Sequence, residues 1–277
     1  MTLTLRNNFF KGGIILAALF LIFVAVAGHV AFSAFPVSAE SAALRSQGWS
    51  QNFIQSFAEP SAYVPFWTML GAAVYSLISI IIIYYFFEKT QSPEILFLSF
   101  FAISLSFEFA RIMIPLTGLS TFPMLYSIVA FRSLLFGRYF GLFSLFAASI
   151  YSAGFDVQKQ QTIFNLMVLS ALLIAVNVPV DSLIWDSTFV FVKGYNSMLF
   201  TVEIGIFVVT IINFFISAYI RDSRAYIYVG LGVLVAFIGR NILIHSDTWI
   251  SPIPGFILLS VGTWFACSKL HKIYLWL

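Results

Sequence analysis

Glu108 and Arg111 stand three residues apart in "SLSFEFARIMIP", residues 104–115, inside a run that is otherwise strongly apolar. At that spacing two side chains share one face of a helix and can pair. An ionised group at membrane depth is costly, so it is met facing protein or water and usually with a partner. The same logic singles out Glu203 beside Thr201, Arg240 with Asn241 and His245, and Arg132, all within apolar runs. Arginine forks match carboxylate and phosphate groups. Two acids and two arginines at one level would nearly neutralise one another.

The elements that must position these groups follow from composition. Of 277 residues, 61% are hydrophobic and only 9% are Asp, Glu, Lys or Arg, with 33 phenylalanines. Soluble domains carry about 25% charged residues, so this chain reads as all-α, a polytopic transmembrane helical bundle. Runs of roughly 20 apolar residues match a bilayer core at 1.5 Å per residue, and no short alternating strands of a membrane barrel appear. Eight segments are expected, in 13–35, 64–87, 94–116, 122–154, 160–180, 196–220, 225–244 and 252–270. They divide as 1–36, an N-terminal anchor helix or signal peptide; 37–62, a short extracytoplasmic segment; and 63–277, a seven-helix transmembrane domain.

Prolines fall at proposed segment ends. Ser92-Pro93-Glu94 is a helix start, with a capping hydroxyl, proline in the first turn and an acid at the positive end of the dipole. With a cytoplasmic N-terminus, the inner side collects Arg6, Lys11, Lys89, Arg138, Lys159, Arg221, Arg224, Lys269 and Lys272, leaving Arg45 and Lys193 outside. That bias matches the positive-inside rule. Trp49, Trp67, Trp185 and Trp249 then form an outer aromatic belt, with Tyr84, Tyr85, Tyr226 and Tyr228 on the inner one. If the first helix is retained, both termini are expected in the cytoplasm; the expected location is the inner membrane of a bacterium.

Two segments stay ambiguous. Basic residues, an apolar run and Val37-Ser38-Ala39 fit either a cleaved signal peptide or a retained anchor; the length of the run favours the anchor. Residues 122–154 are long for one span, and a crossing to about Arg138 followed by an interfacial helix is the expectation.

On these spans Glu108 lies about 21 Å from the inner end of its helix. Arg111, Glu203, Arg240 and Asn241 fall in the same outer third, with His245 about one turn above Arg240 and Arg132 nearer the midplane. Three readings stay open: a lock between helices, an outward-facing pocket for a small anionic or polar ligand, and a proton or ion pathway. Asn213 is expected to bond between helices, Asp181 to cap, and Gly137-Arg-Tyr-Phe-Gly141 to be a weak close-packing match. No HExxH pair, phosphate-cradling glycine loop or GxSxG elbow occurs, and Cys267 is the lone cysteine. The chain is therefore expected to be non-enzymatic, without cofactor or metal. Its few scattered basic residues give no nucleic-acid partner.

An apolar N-terminal segment, a short exterior piece and then seven spans with a cytoplasmic C-terminus resembles the bacterial seven-helix sensory modules known as 7TM receptors with diverse intracellular signalling modules. The resemblance covers residues 64–270 in span order and loop brevity, with "FRSLLFGRYFG" (131–141) after the third hairpin. It implies a receptor working in signal transduction. Those modules carry a large exterior domain and an output domain, which this sequence lacks, so the resemblance implies a separate cytoplasmic partner and transfers no residue roles. A small transporter or channel, or a structural subunit of a larger membrane complex, are the competing expectations.

Overall fold

The computed structural model describes residues 3–34, 57, 59–61, 63–87, 92–113, 116, 123–180 and 185–275. Most of the 37–62 segment, with Arg45, Trp49 and the Val37-Ser38-Ala39 site, lies outside them, as do Lys89, Pro115 and Asp181. The described residues form eight long helices: α1 Leu3–Ala34, α2 Tyr63–Phe87, α3 beginning at Pro93, α4 Met124–Ser152, α5 Gln160–Asn177, α6 Asn196–Ile220, α7 Ala225–Ile244 and α8 Pro252–Leu275. All eight are long and apolar enough to cross a membrane, which points to a multi-pass membrane protein.

Contacts fix the relative directions. Gly28 of α1 sits against Phe66 of α2, and Gly13 against Ile80, so these two run antiparallel. Phe20 of α1 stacks on Phe109 at 4.1 Å and Phe9 meets Phe100, so α1 and α3 run parallel. Gly137 and Gly141 of α4 meet Phe107 and Ser104, which makes α3 and α4 antiparallel. The result is an up-and-down bundle with two distinct ends, named below for Glu108 and for Tyr274. The α3 segment is its most enclosed member, 89% buried across the window, while α6 is only 11% buried and turns most of its apolar surface outward.

Local chemistry explains the start and bend of α3. Ser92 Oγ accepts from the Ile95 amide at 3.3 Å and donates to Glu94 Oε2 at 2.7 Å, with Pro93 opening the first turn. The α-helix runs from Pro93 to Ser104 and then tightens into a 3₁₀ helix over Leu105–Ile112. Ser99, Ser104 and Ser106 each donate to the carbonyl three residues back at 2.6–2.7 Å, competing with ordinary α-helical bonding. Eight 3₁₀ residues are an unusually long run. Side chains three apart eclipse in that geometry, which stacks Arg111 directly over Glu108.

Helix α4 corrects the sequence reading of 122–154. It is a single helix of 29 residues with no break at Arg138. At 1.5 Å per residue it measures about 43 Å, the thickness of a bilayer with its headgroups. Arg138 consequently lies mid-helix and buried rather than at the inner surface.

Two close approaches bring the site together. A Cβ on Gly137 would lie 2.2 Å from Phe107 Cβ, and one on Gly141 would lie 2.2 Å from Ser104 Oγ. These glycines seat α4 on the part of α3 that bears Glu108. Helices α7 and α8 meet as tightly, since a Cβ on Gly239 would lie 2.4 Å from the Leu259 amide nitrogen and one on Gly262 would lie 2.4 Å from that of Ala236.

Candidate functional site

Glu108 is 4% exposed and receives two arginines. Arg138 donates from Nε to Oε1 at 2.9 Å and from Nη2 to Oε2 at 3.0 Å, a two-pronged pairing. Arg111, 1% exposed, donates from Nη1 to Oε2 at 3.3 Å. Both ion pairs found between described residues therefore end on this one carboxylate.

Arg111 also ties the cluster to the loop between α5 and α6. Its Nε donates to the Thr188 carbonyl at 2.8 Å, and Nη2 bonds to the same oxygen. That carbonyl is presented by a tight turn. Asp186 Oδ1 accepts from the Thr188 amide, the Thr188 hydroxyl and the Val190 amide at 2.7–3.0 Å. Phe189 takes the left-handed conformation at φ 57°, and Phe191 packs edge-on against Phe131. The loop thereby closes the Glu108 end of the bundle over the ion pairs.

Beside this closed network lies a cavity of about 410 Å³, lined by Arg138, Lys193, Asn196, Ser197, Glu203, Arg240, Asn241 and His245, with Phe200, Ile204, Phe237 and Ile244 as its apolar walls. Arg240 is 4% exposed, donates from Nη2 to the Arg138 carbonyl at 2.8 Å, and forms no ion pair with a described residue. Glu203 is half-buried and within electrostatic range of Arg138, Arg240 and Lys193. The buried Tyr139 hydroxyl lies beside Glu203. Lys193 is half-buried in the loop. Burial lowers its pKa to about 8, with the positive charge of Arg138 and Arg240 adding to the effect and Glu203 and Glu108 opposing it.

The structure thus places Glu108 and Arg111 on α3, Glu203 on α6, and Arg240 and Asn241 on α7 around one end of the bundle. His245, exposed just past α7, donates from Nδ1 to the Asn241 carbonyl at 2.9 Å and also lines the cavity. Arg132 does not join them, because its side chain is exposed on α4 and lines no part of the cavity. Sequence reasoning passed over two members. Arg138 was assigned to the inner surface, although its place one turn and a half beyond Arg132 in a continuous apolar pattern was a signal. Lys193 was assigned to a loop, and no local pattern marks that loop as folding inward.

The lining carries Arg138, Arg240 and Lys193 against Glu203 alone. Arg138 shares the Glu108 carboxylate with Arg111. Also facing the cavity are a buried guanidinium without a contact carboxylate, an ammonium, the Glu203 carboxylate and the amides of Asn196 and Asn241, a set with an excess of positive charge suited to a small anion. Among the described residues no group of three His, Cys, Asp or Glu side chains is placed to hold a metal ion. Asn213, farther along α6, donates to Ser149 Oγ of α4 at 3.2 Å and belongs to helix packing rather than to this cavity. Comparison with protein-family models, with curated proteins and with solved structures finds no match to this chain.

Proposed function

We propose that this chain is a non-enzymatic protein of the bacterial inner membrane, with both termini cytoplasmic. In this reading it binds a small anion from outside in the cavity at the Glu108 end. Binding there would serve sensing, or docking of a signalling or membrane-complex partner. The observation that carries the reading is Arg240: a buried guanidinium that borders a cavity, has no contact ion pair among the described residues, and has Lys193 beside it. A charge buried this way is costly unless a counter-ion approaches it. A carboxylate or sulfate-type group in the cavity would supply one while also drawing α6, α7 and the 185–195 loop together.

The locking role is assigned to different side chains. Glu108, Arg111 and Arg138 bond to one another and to the loop carbonyl, which leaves Arg240 and Lys193 for the ligand. A passage through the bundle is the weaker reading, because Phe237 in the cavity wall is backed by Phe207, stacked on it at 3.8 Å.

The test is thermal stability of the purified protein with acetate, succinate and sulfate as probes. A saturable rise with at least one probe, lost in Arg240→Gln while the variant stays monodisperse, supports the reading. No response to any probe, or the same response in the variant, counts against it. Probe flux in liposomes would transfer the cavity to the transport reading.

A further inference from the structure

The opposite end of the bundle carries a second basic cavity, of about 640 Å³, lined by Arg221, Ser223, Ala225, Tyr226, Lys269, Lys272 and Ile273. We infer that it binds the phosphate group of an anion, at the junction where α6 ends, α7 begins and α8 finishes.

Three positive side chains converge there and no carboxylate lines the cavity. None of the three forms an ion pair with a described residue. Glu94, a fully buried acid of α3, is turned to other partners: both its oxygens accept from the Tyr274 hydroxyl, at 2.9 and 2.8 Å, and Oε2 also accepts from Ser92.

Two of the cations are held in place before any ligand arrives. Arg221 lies over the Tyr226 ring, 5.1 Å from its centroid, donates from Nη1 to that hydroxyl at 2.7 Å, and donates from Nη2 to the Tyr151 carbonyl at 3.2 Å. Lys269 sits over the Tyr228 and Phe265 rings, 5.0 and 5.3 Å from their centroids. Lys272 is exposed and free to close on a ligand. The α7 N-terminus opens on the same space with no side-chain cap, adding the positive end of its dipole.

The position favours phosphate chemistry in two forms. Arg221 directly follows the last residue of α6, and both lysines lie in the closing turns of α8. In a membrane that is headgroup depth, where basic pockets between helices take acidic lipid. The same donors would accept free inorganic phosphate.

Native mass spectrometry of protein loaded with phosphatidylglycerol or phosphatidylcholine tests the lipid form, and thermal stability of lipid-stripped protein with inorganic phosphate tests the soluble form. The wild type should retain phosphatidylglycerol over phosphatidylcholine, with a loss of about fivefold per lysine removed in Lys269→Gln with Lys272→Gln. Stabilisation by phosphate without lipid preference would name the soluble source. Lys272→Gln alone, at an exposed side chain, keeps the test valid if the double variant fails to fold. Absence of both responses in the wild type, or equal responses in the variants, overturns the site.

Discussion

Arg138 reaches Glu108 across thirty residues of sequence and closes two bonds on it, at 2.9 and 3.0 Å, in the interior of a bundle whose helices are otherwise apolar. The pairing works because Gly137 and Gly141 let α4 approach α3 at that depth. Removing the carboxylate leaves two buried arginines without their counter-charge. Glu108→Gln should destabilise the fold by about 3–5 kcal/mol, the range for breaking a buried pair by one partner, read by SDS titration in mixed micelles. The double variant Glu108→Gln with Arg138→Gln should lose less than the two single losses added together. A Glu108→Gln loss below about 1 kcal/mol would remove Glu108 from the role of lock.

The glycine contacts make a separate prediction about packing. Gly239 and Gly262 meet backbone atoms of the facing helix, where no side chain can swing aside. Gly262→Ala should therefore push α7 and α8 apart and destabilise by roughly 1–3 kcal/mol, as overpacking does. Gly12→Ala, where nothing lies within 4 Å, is the control and should be neutral or slightly stabilising. Equal behaviour of the two variants in the same unfolding assay would show that the α7–α8 contact is slack.

The sign of the charge in the cavity at the Glu108 end can be tested through Glu203, the one acid in its lining. If the ligand is an anion, Glu203 repels it. Two charges several ångströms apart at an effective dielectric near 20 interact by one to a few kcal/mol, so Glu203→Gln should tighten binding of the responding probe by about fivefold or more. Arg240→Lys should weaken it by about tenfold, since an ammonium cannot offer the guanidinium fork. Isothermal titration of the three proteins decides; weaker binding in Glu203→Gln would mark a cationic or hydrogen-bonding ligand instead.

Helix positions were open to sequence reasoning because bilayer thickness and apolar run length leave little choice. The Ser92 cap and the Pro93 start follow from local chemistry alone, and the structure places α3 there. The fate of Arg138 was not legible. An arginine within a long apolar run is costly alone, so local pattern places a break at that residue; the carboxylate that makes it tolerable comes from another helix. Lys193 was hidden for a related reason, because only the folded 185–195 loop carries it to the cavity. Gly137 and Gly141 were visible as a spacing, yet their importance depends on Phe107 and Ser104 facing them. Local pattern gave the rods, and pairing between them required three dimensions.

Lys193 sets the expected pH response of the cavity at the Glu108 end. Its folded-state pKa of about 8, against 10.5 in a solvated chain, means that the ammonium is lost well within the range an assay can reach. The sign follows from which form attracts an anion. Below about 8 the group is charged and attracts one; as pH rises through 8 it becomes neutral and the attraction ends. Groups facing it from the neighbouring elements are Arg138 on α4, Glu203 on α6, Arg240 on α7 and Glu108 on α3, with His245 also on the cavity wall. Probe affinity should therefore fall by about tenfold between pH 7.5 and 9.5, the worth of one charged hydrogen bond. A bound anion stabilises the ammonium, which moves the midpoint to or above 8. Lys193→Arg stays charged across that window and should bind with little pH dependence, while Lys193→Gln should bind weakly at both limits. A wild type that binds equally at pH 7.5 and 9.5 would show that this ammonium does not contact the ligand, and a fall that persists in Lys193→Arg would assign the titration to another group.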